Sequence, residues 1–237
     1  MKKAVFALFV VLGATLAGFA DVNPCPTSTY DVYIVSGFDC GIGDKTFANF
    51  MYSATSNPPG FGIPAGGVAV TPITTSGNPG FQFSAGWFAS TSSGILEENS
   101  TIQYSVNVNP GGALINDLSL SIGALAFNGT GFIGVSETAC LGAMLPTCSG
   151  GQVLTLSVFD GSSGSKLNDS ASFAGVSEVD LQEGITLQAG TNGNASLSLV
   201  TNQFSEGTGT TPEPSTLSML GLGVIAVAGF ARRKLGI

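Results

Sequence analysis

The chain has 237 residues, and its two ends differ in composition from the part between them. Five of its seven basic residues lie in the first three and last six positions, whereas fourteen of its fifteen acidic residues lie between Asp21 and Glu206. This central part carries a net charge of −12, which excludes binding to nucleic-acid phosphates. The chain has no histidine, so Ser-His-Asp and Cys-His catalysis are also excluded.

The N-terminus has the pattern of a secretory signal. Lys2 and Lys3 precede an apolar stretch over residues 4–17, and Gly18 and Ala20 place small residues where a signal peptidase cuts. We predict that residues 1–20 are a signal peptide and that the mature chain begins at residue 21. A retained N-terminal anchor is the alternative, but the apolar stretch is short for a span.

The body, residues 21–206, alternates between apolar and polar positions in short runs separated by Gly, Asn, Pro and Ser, which is typical of β-strands. The pattern predicts a single all-β domain, an antiparallel β-sandwich or a jelly roll. Residues 57–80 are rich in Pro and Gly and are predicted to form a long loop over one edge. The predicted strands include Tyr30–Val35, Phe81–Phe83, Thr101–Val108, Leu118–Ile122, Val153–Phe159, Ile185–Leu187 and Ala195–Val200.

Four cysteines lie in the body, an even number that predicts two disulfides in an exported protein. Three pairings are open, and proximity in sequence favours Cys25 with Cys40 and Cys140 with Cys148. A metal site built on these cysteines is disfavoured, because the spacings are not those of zinc sites and no histidine can complete a mixed site.

Carboxylates offer the main candidate chemistry of the body. Glu178, Asp180 and Glu183 form a local cluster, in which the first two share a face if the segment is extended, and Glu97 and Glu98 are adjacent. Such groups serve either as a glycosidase pair or as hard oxygen ligands for calcium. We favour the interpretation that these carboxylates form a solvated polar face. The sequence therefore assigns no metal ligands, and whether the body binds a metal stays unknown.

Two other motifs of the body carry candidate chemistry. Trp87 is the sole tryptophan, and with Phe81, Phe83 and Phe88 it resembles a stacking platform for sugar rings. The alternation of these residues favours core packing instead. Ser163 and Lys166 fit the S-x-x-K pattern of a Ser-Lys dyad, but that pattern needs a helix and here follows a turn-like sequence.

The C-terminus contains a possible membrane span. The 18 residues between Glu213 and Arg232 are uncharged and, as a helix, cover roughly 27 Å, just short of a typical hydrocarbon core. We predict a linker over residues 207–214, a transmembrane helix over 215–231 and a basic cytoplasmic tail over 232–237. The membrane stop consists of Arg232, Arg233 and Lys234, which should remain cytoplasmic and leave the body outside.

The tail resembles the PEP-CTERM sorting signal of Gram-negative bacteria. The motif Pro212, Glu213, Pro214 is followed by a short polar step, a Gly-rich apolar helix and a basic stop. The resemblance implies recognition by an exosortase, removal of the tail, and release or attachment at the cell surface. It also implies an association with exopolysaccharide. An ordinary single-span anchor with a rigid Pro-Glu-Pro linker is the alternative.

The sequence therefore predicts an exported surface or extracellular-matrix protein without enzymatic activity and without a cofactor. Its expected partners are signal peptidase, the exosortase and extracellular polysaccharide, together with the inner membrane, in which the protein is expected to be anchored transiently. A carbohydrate-binding module centred on Trp87 is the second hypothesis, and a carboxylate-dependent glycosidase is the third.

Overall fold

The computed structural model describes residues 23–206, which form two antiparallel β-sheets packed face to face as a sandwich. One sheet has six strands in the order β1-β4-β5-β13-β7-β11, and the other has seven in the order β10-β9-β8-β12-β6-β3-β2. The elements are β1 Ser28–Thr29, α1 Tyr30–Tyr33, β2 Asp39–Ile42, β3 Lys45–Asn57, a 3₁₀ turn at Ala65–Gly67, β4 Ala69–Ile73, β5 Gly80–Ser90, β6 Glu97–Val108, β7 Ile115–Asn128, β8 Phe132–Leu141, β9 Gln152–Gly161, β10 Gly164–Lys166, β11 Asn168–Val176, β12 Glu178–Gln188 and β13 Asn194–Glu206.

The all-β fold predicted from the alternating pattern is confirmed. In β6, Ile102, Tyr104 and Val106 point inward and are buried, while Gln103 between them faces outward. Because successive side chains of a strand point to opposite faces, this alternation gives each sheet one apolar and one polar face. The apolar faces meet in one core, which is rich in aromatic side chains at one end.

The prediction that Tyr30–Val35 is a strand is wrong. The segment begins with α1, a single helical turn in which both Tyr30 and Tyr33 are buried. Both rings pack against Phe50, with centroids 6.1 Å and 4.9 Å from its ring. Residues three apart lie on one face of a helix but on opposite faces of a strand, so only the helical turn buries both tyrosines together.

The predicted long loop over residues 57–80 is only partly a loop. It contains β4, which pairs along its length with β5 and with β1 only at its first two residues. Pro72 lies in the part of β4 that β1 does not cover, and there its missing N–H costs no ladder hydrogen bond.

The structure pairs Cys25 with Cys40 and Cys140 with Cys148, the pairing that sequence proximity favours. The first bond ties the segment before β1 to the edge strand β2, and the second closes the loop that follows β8. The predicted signal peptide, linker, transmembrane helix and basic tail lie outside the described residues. Within residues 23–206, no helix has the length and apolarity needed to cross a bilayer.

Candidate ligand-binding groove

A groove of about 360 Å³ lies on the outer face of the seven-stranded sheet. Its floor is formed by β3, β6 and β12, and its walls are two loops together with the exposed side chain of Met51 on β3. One wall is residues 34–38, which connect α1 to β2, and the other is the loop after β8 that the Cys140–Cys148 disulfide closes. We call this feature the groove throughout.

A β-bulge shapes the floor of the groove. The pairing of β3 with β6 shifts register between Ala48 and Met51, and Asn49 within this bulge has a positive φ of 57°. Asparagine tolerates this backbone conformation better than most residues do. The Asn49 amide Nδ2 donates to Ser105 Oγ at 2.9 Å, and Ser105 Oγ donates to the carbonyl oxygen of Ala48 at 3.2 Å.

Asp180 on β12 lies beneath the disulfide-closed loop and is only 2 % exposed. Its Oδ2 accepts the backbone N–H of Leu145 at 2.7 Å, while Oδ1 has no hydrogen-bond partner among the described residues. Burial raises the pKa of the Asp180 carboxyl, and the hydrogen bond from Leu145 opposes this shift in part. The groove therefore has a carboxyl group at its base with one oxygen unoccupied.

The walls of the groove are apolar and open to solvent. Val35 is 62 % exposed, Met51 is 53 % exposed and Met144 is 52 % exposed. All three line the same cavity. Exposed apolar side chains are ordinary when scattered singly, but a cluster around a concave surface is typical of an interaction site.

The structure separates the acidic cluster that the sequence grouped together. Glu178 and Asp180 lie on the outward side of β12, whereas Glu183 points into the core. There it faces Glu137 of β8, its direct neighbour in the strand register. Within residues 23–206, no three acidic, cysteine or histidine side chains come together as a metal site. The segment Glu178–Glu183 thus presents neither a carboxylate pair across a cleft nor a set of converging calcium ligands.

The core pair of glutamates is joined by a residue of the other sheet. Asn202 of β13 donates its Nδ2 to Glu137 Oε2, while Glu137 Oε1 and both carboxyl oxygens of Glu183 have no partner within the described chain. Burial raises the pKa of Glu183 to about 8. Burial and the neighbouring Glu183 raise the pKa of Glu137 well above its usual range. Both carboxyl groups lie in the core between the two sheets, and neither belongs to the lining of the groove.

The other residues that the sequence offers as candidates contribute to packing, hydrogen bonds or ion pairs within the fold. Trp87 is buried and donates its indole N–H to Ser100 Oγ at 3.1 Å, as core packing predicts, so its ring offers no stacking surface. Glu98 is buried and accepts the backbone N–H of Phe88 at 2.7 Å. Lys166 at the end of the β9–β10 hairpin forms an ion pair with Asp169 of β11 at 2.8 Å, and the S-x-x-K pattern lies on this hairpin and not on a helix.

Sequence reasoning missed most residues of the groove. Asn49, Gln103 and Met144 come together only through the β3 bulge and the disulfide-closed loop. The two cysteines predict that loop, but no local signal predicts the bulge or shows that the loop folds over Asp180. Glu137 was detectable in principle. It occupies an inward position in the alternation of β8, between Val135 and Ala139.

The chain carries a PEP-CTERM protein-sorting motif, which matches residues 210–234. No curated protein matches the chain. Among solved structures, TmCBM61 in complex with beta-1,4-galactotriose is similar at 8 % identity and a TM-score of 0.34, over 78 % of this chain and 99 % of that one. The enzymatically active domain of bacteriophage CBA120 tailspike protein 4 is similar at 11 % identity and a TM-score of 0.26. That match covers 76 % of this chain and 21 % of the tailspike chain, and neither likeness is close enough to carry an argument.

Proposed function

We propose that the protein is an exported surface or extracellular-matrix protein without enzymatic activity, which an exosortase sorts and which associates with extracellular polysaccharide. The observation that carries the proposal is the PEP-CTERM motif at residues 210–234. The two disulfides of the body agree with an oxidising compartment outside the cytoplasm. The N-terminal pattern of basic and apolar residues agrees with export as well.

The mature ends of the protein test this proposal. We expect intact mass measurement of protein from the cell surface or medium to give a chain that starts near Asp21 and ends before the apolar segment. A variant with Pro212, Glu213 and Pro214 replaced by alanine should keep its tail and remain in the membrane fraction. Mature wild-type protein that extends through Ile237 would contradict the sorting proposal, although an anchored surface protein would remain.

Carbohydrate binding is the second candidate function. The groove supports it, because polar groups on a concave floor between apolar walls suit a small hydroxylated ligand. A stacking platform around Trp87 does not support carbohydrate binding, since the Trp87 ring is buried.

The glycosidase hypothesis receives no support from the geometry. Its candidate residues are split between the two faces of β12, and Asp180 is the one carboxyl group in the lining of the groove. A hydrolytic mechanism needs two carboxyl groups about 5 to 10 Å apart across the substrate. Screening oligosaccharides for turnover, with Asp180→Asn as the comparison, tests the hypothesis directly.

A further inference from the structure

We propose that the groove binds a neutral sugar unit of a polysaccharide, with hydroxyl groups on the polar floor and the C–H faces of the ring against the apolar walls. This inference rests on the proposed association with extracellular polysaccharide and deepens it, because it names the surface and the ligand class. The floor consists of Asn49, Gln103 and Asp180, and the walls include Val35, Met51 and Met144.

The size of the groove limits the ligand. Its volume of about 360 Å³ lies near the lower end of the range for small-molecule sites, roughly 300 to 1,000 Å³. A space of this size encloses about one or two sugar rings. The groove therefore contacts a single unit or a short repeat of the polysaccharide.

The floor offers hydrogen-bonding groups that lack partners. Asp180 Oδ1 is buried without a donor, and leaving such an oxygen unpaired costs free energy. A ligand hydroxyl that donates to Oδ1 removes this cost once the covering loop shifts to admit it, because this oxygen has almost no accessible surface in the free protein. Asn49 uses its Nδ2 on Ser105, which leaves its carbonyl oxygen as an acceptor, and the Gln103 amide supplies donors and an acceptor.

The walls complement the apolar part of a sugar ring. Met51 and Met144 face the cavity from opposite sides, one from β3 and the other from the disulfide-closed loop. Methionine adapts its unbranched side chain to irregular surfaces and packs against C–H groups. The Cys140–Cys148 bond holds one wall in place before binding, which reduces the entropy that binding must remove.

Charge selects a neutral ligand over an acidic one. The body carries −12 with only Lys45 and Lys166 as cations. Lys45 is bound by Asp44 and Glu206, and Lys166 is bound by Asp169, so each is occupied by carboxylates. No residue in the lining of the groove is basic. A uronate or sulfate group would thus approach Asp180 with no cation to compensate it.

A second depression on the same sheet, of about 290 Å³, is a weaker candidate although it contains two phenylalanines. The ring of Phe132 lies directly over Gly134, where even a Cβ atom would come within 2.7 Å of it. Phe159 is the register partner of the same glycine on β9. Aromatic rings that cover strand glycines in this way stabilise the sheet.

Saturation-transfer NMR and titration calorimetry test the proposal on the full chain in lipid nanodiscs, with empty nanodiscs as the blank. The probes are neutral oligosaccharides of galactose, glucose and N-acetylglucosamine, with oligogalacturonate as the acidic comparison. We expect at least one neutral probe to bind and the acidic probe to bind at least tenfold more weakly. The export assay is independent, so failure here does not bear on sorting.

Matched variants locate the site. Met51→Ala should weaken binding about fivefold, whereas Val153→Ala, which truncates a side chain of similar exposure (57 %) outside the groove, should leave it unchanged. Asp180→Asn keeps an acceptor for Leu145 N–H and should weaken binding about tenfold or more. Gln103→Ala, on the outer face, provides a floor variant that does not disturb the loop.

Three results would overturn the proposal: no neutral probe binds, the acidic probe binds best, or the affinity is unchanged in both Met51→Ala and Gln103→Ala. Loss of binding in Phe159→Ala with full binding in the groove variants would assign the sugar to the second depression instead and would equally reject the groove.

Discussion

Two glutamates face each other inside the sandwich, where neither has water to solvate a charge. An isolated ionised carboxylate in such a place costs far more than a domain of this size can compensate, so the group takes up a proton instead. A neutral pair is also able to form hydrogen bonds that two carboxylates cannot, since each protonated group then has a donor. Glu137, Glu183 and Asn202 thus form a polar network between the sheets whose stability depends on bound protons.

The pH dependence of stability follows from the raised pKa of Glu183, about 8 in the folded state against about 4.3 in an unfolded chain. The stability that this group contributes is fully present below about pH 4.3 and is lost as pH rises through about 8. Between those values the free energy of unfolding should fall by about 1.4 kcal/mol per pH unit for one such carboxyl. Urea unfolding followed by the fluorescence of buried Trp87 at pH 5, 6, 7 and 8 measures this slope.

The Glu183→Gln variant should reduce the slope between pH 5 and 8, because glutamine cannot ionise. Glu178→Gln on the same strand, where the side chain is partly exposed, should not reduce it. Added salt should change the slope little, since buried groups are poorly screened. Repulsion among the exposed carboxylates of the body also predicts lower stability at higher pH, but salt would then restore much of it. A slope that salt removes would refute the buried-pair explanation.

At the scale of elements, the sequence predicts correctly those strands in which apolar and polar residues alternate throughout. The prediction is wrong where a tertiary contact determines the secondary structure. Thr101–Val108 was predicted as a strand because four apolar residues alternate, and it lies within β6. Tyr30–Val35 has strand-like composition, but the contact of both tyrosines with Phe50 selects a helical turn. The pattern of β4 was hidden by Pro72, which is tolerated only because β1 leaves that part of the strand uncovered.

The Cys140–Cys148 bond should matter more for the groove than for the fold. Replacing both cysteines with alanine should lower the free energy of unfolding by about 2.6 kcal/mol from the entropy of the nine-residue loop. It should also loosen the hydrogen bond from the Leu145 N–H to Asp180, because the disulfide is the covalent link that closes this loop. Hydrogen exchange should therefore accelerate in residues 142–151 ahead of the rest of the chain.

The Cys25→Ala, Cys40→Ala double variant is the matched comparison, with a predicted loss of about 3 kcal/mol from its longer loop. It should leave exchange in residues 142–151 at the rate set by global stability. Equal acceleration in both variants would show that the Cys140–Cys148 bond stabilises the whole sandwich and does not specifically hold the groove.

For the whole molecule, the sequence predicted the class of fold and the sorting motif but not the groove. Fold class depends on an alternation repeated along every strand, and each repeat adds to the signal. The groove depends on a bulge at Asn49 and a loop that returns over Asp180, so its residues are up to 146 positions apart in the chain. Its position is a property of tertiary structure, and no window of the sequence contains it.

The two ends of the described chain lie beside the same hairpin, which connects β2 to β3. The carbonyl oxygen of Asn23 accepts the N–H of Gly41, and Glu206, the last residue of β13, is bound by Lys45 at 2.8 Å. Lys45 and Glu206 belong to different sheets, and Asp44 also contacts the Lys45 amine. This ion triad therefore joins the sheets at the point from which the C-terminal segment continues.

The triad should respond unequally to the loss of its partners, because Lys45 is fully buried while both carboxylates are partly exposed. The double variant Asp44→Asn, Glu206→Gln leaves the buried ammonium without a counter-charge and should lower the free energy of unfolding by about 3 kcal/mol or more. Lys45→Met leaves only carboxylates that water reaches and should cost less than half as much, because methionine keeps most of the packing. Urea unfolding of the three proteins at pH 7 measures both values. Equal losses in the two variants would contradict the predicted asymmetry and would show that the burial of an unpaired Lys45 carries no extra cost at this end of the sandwich.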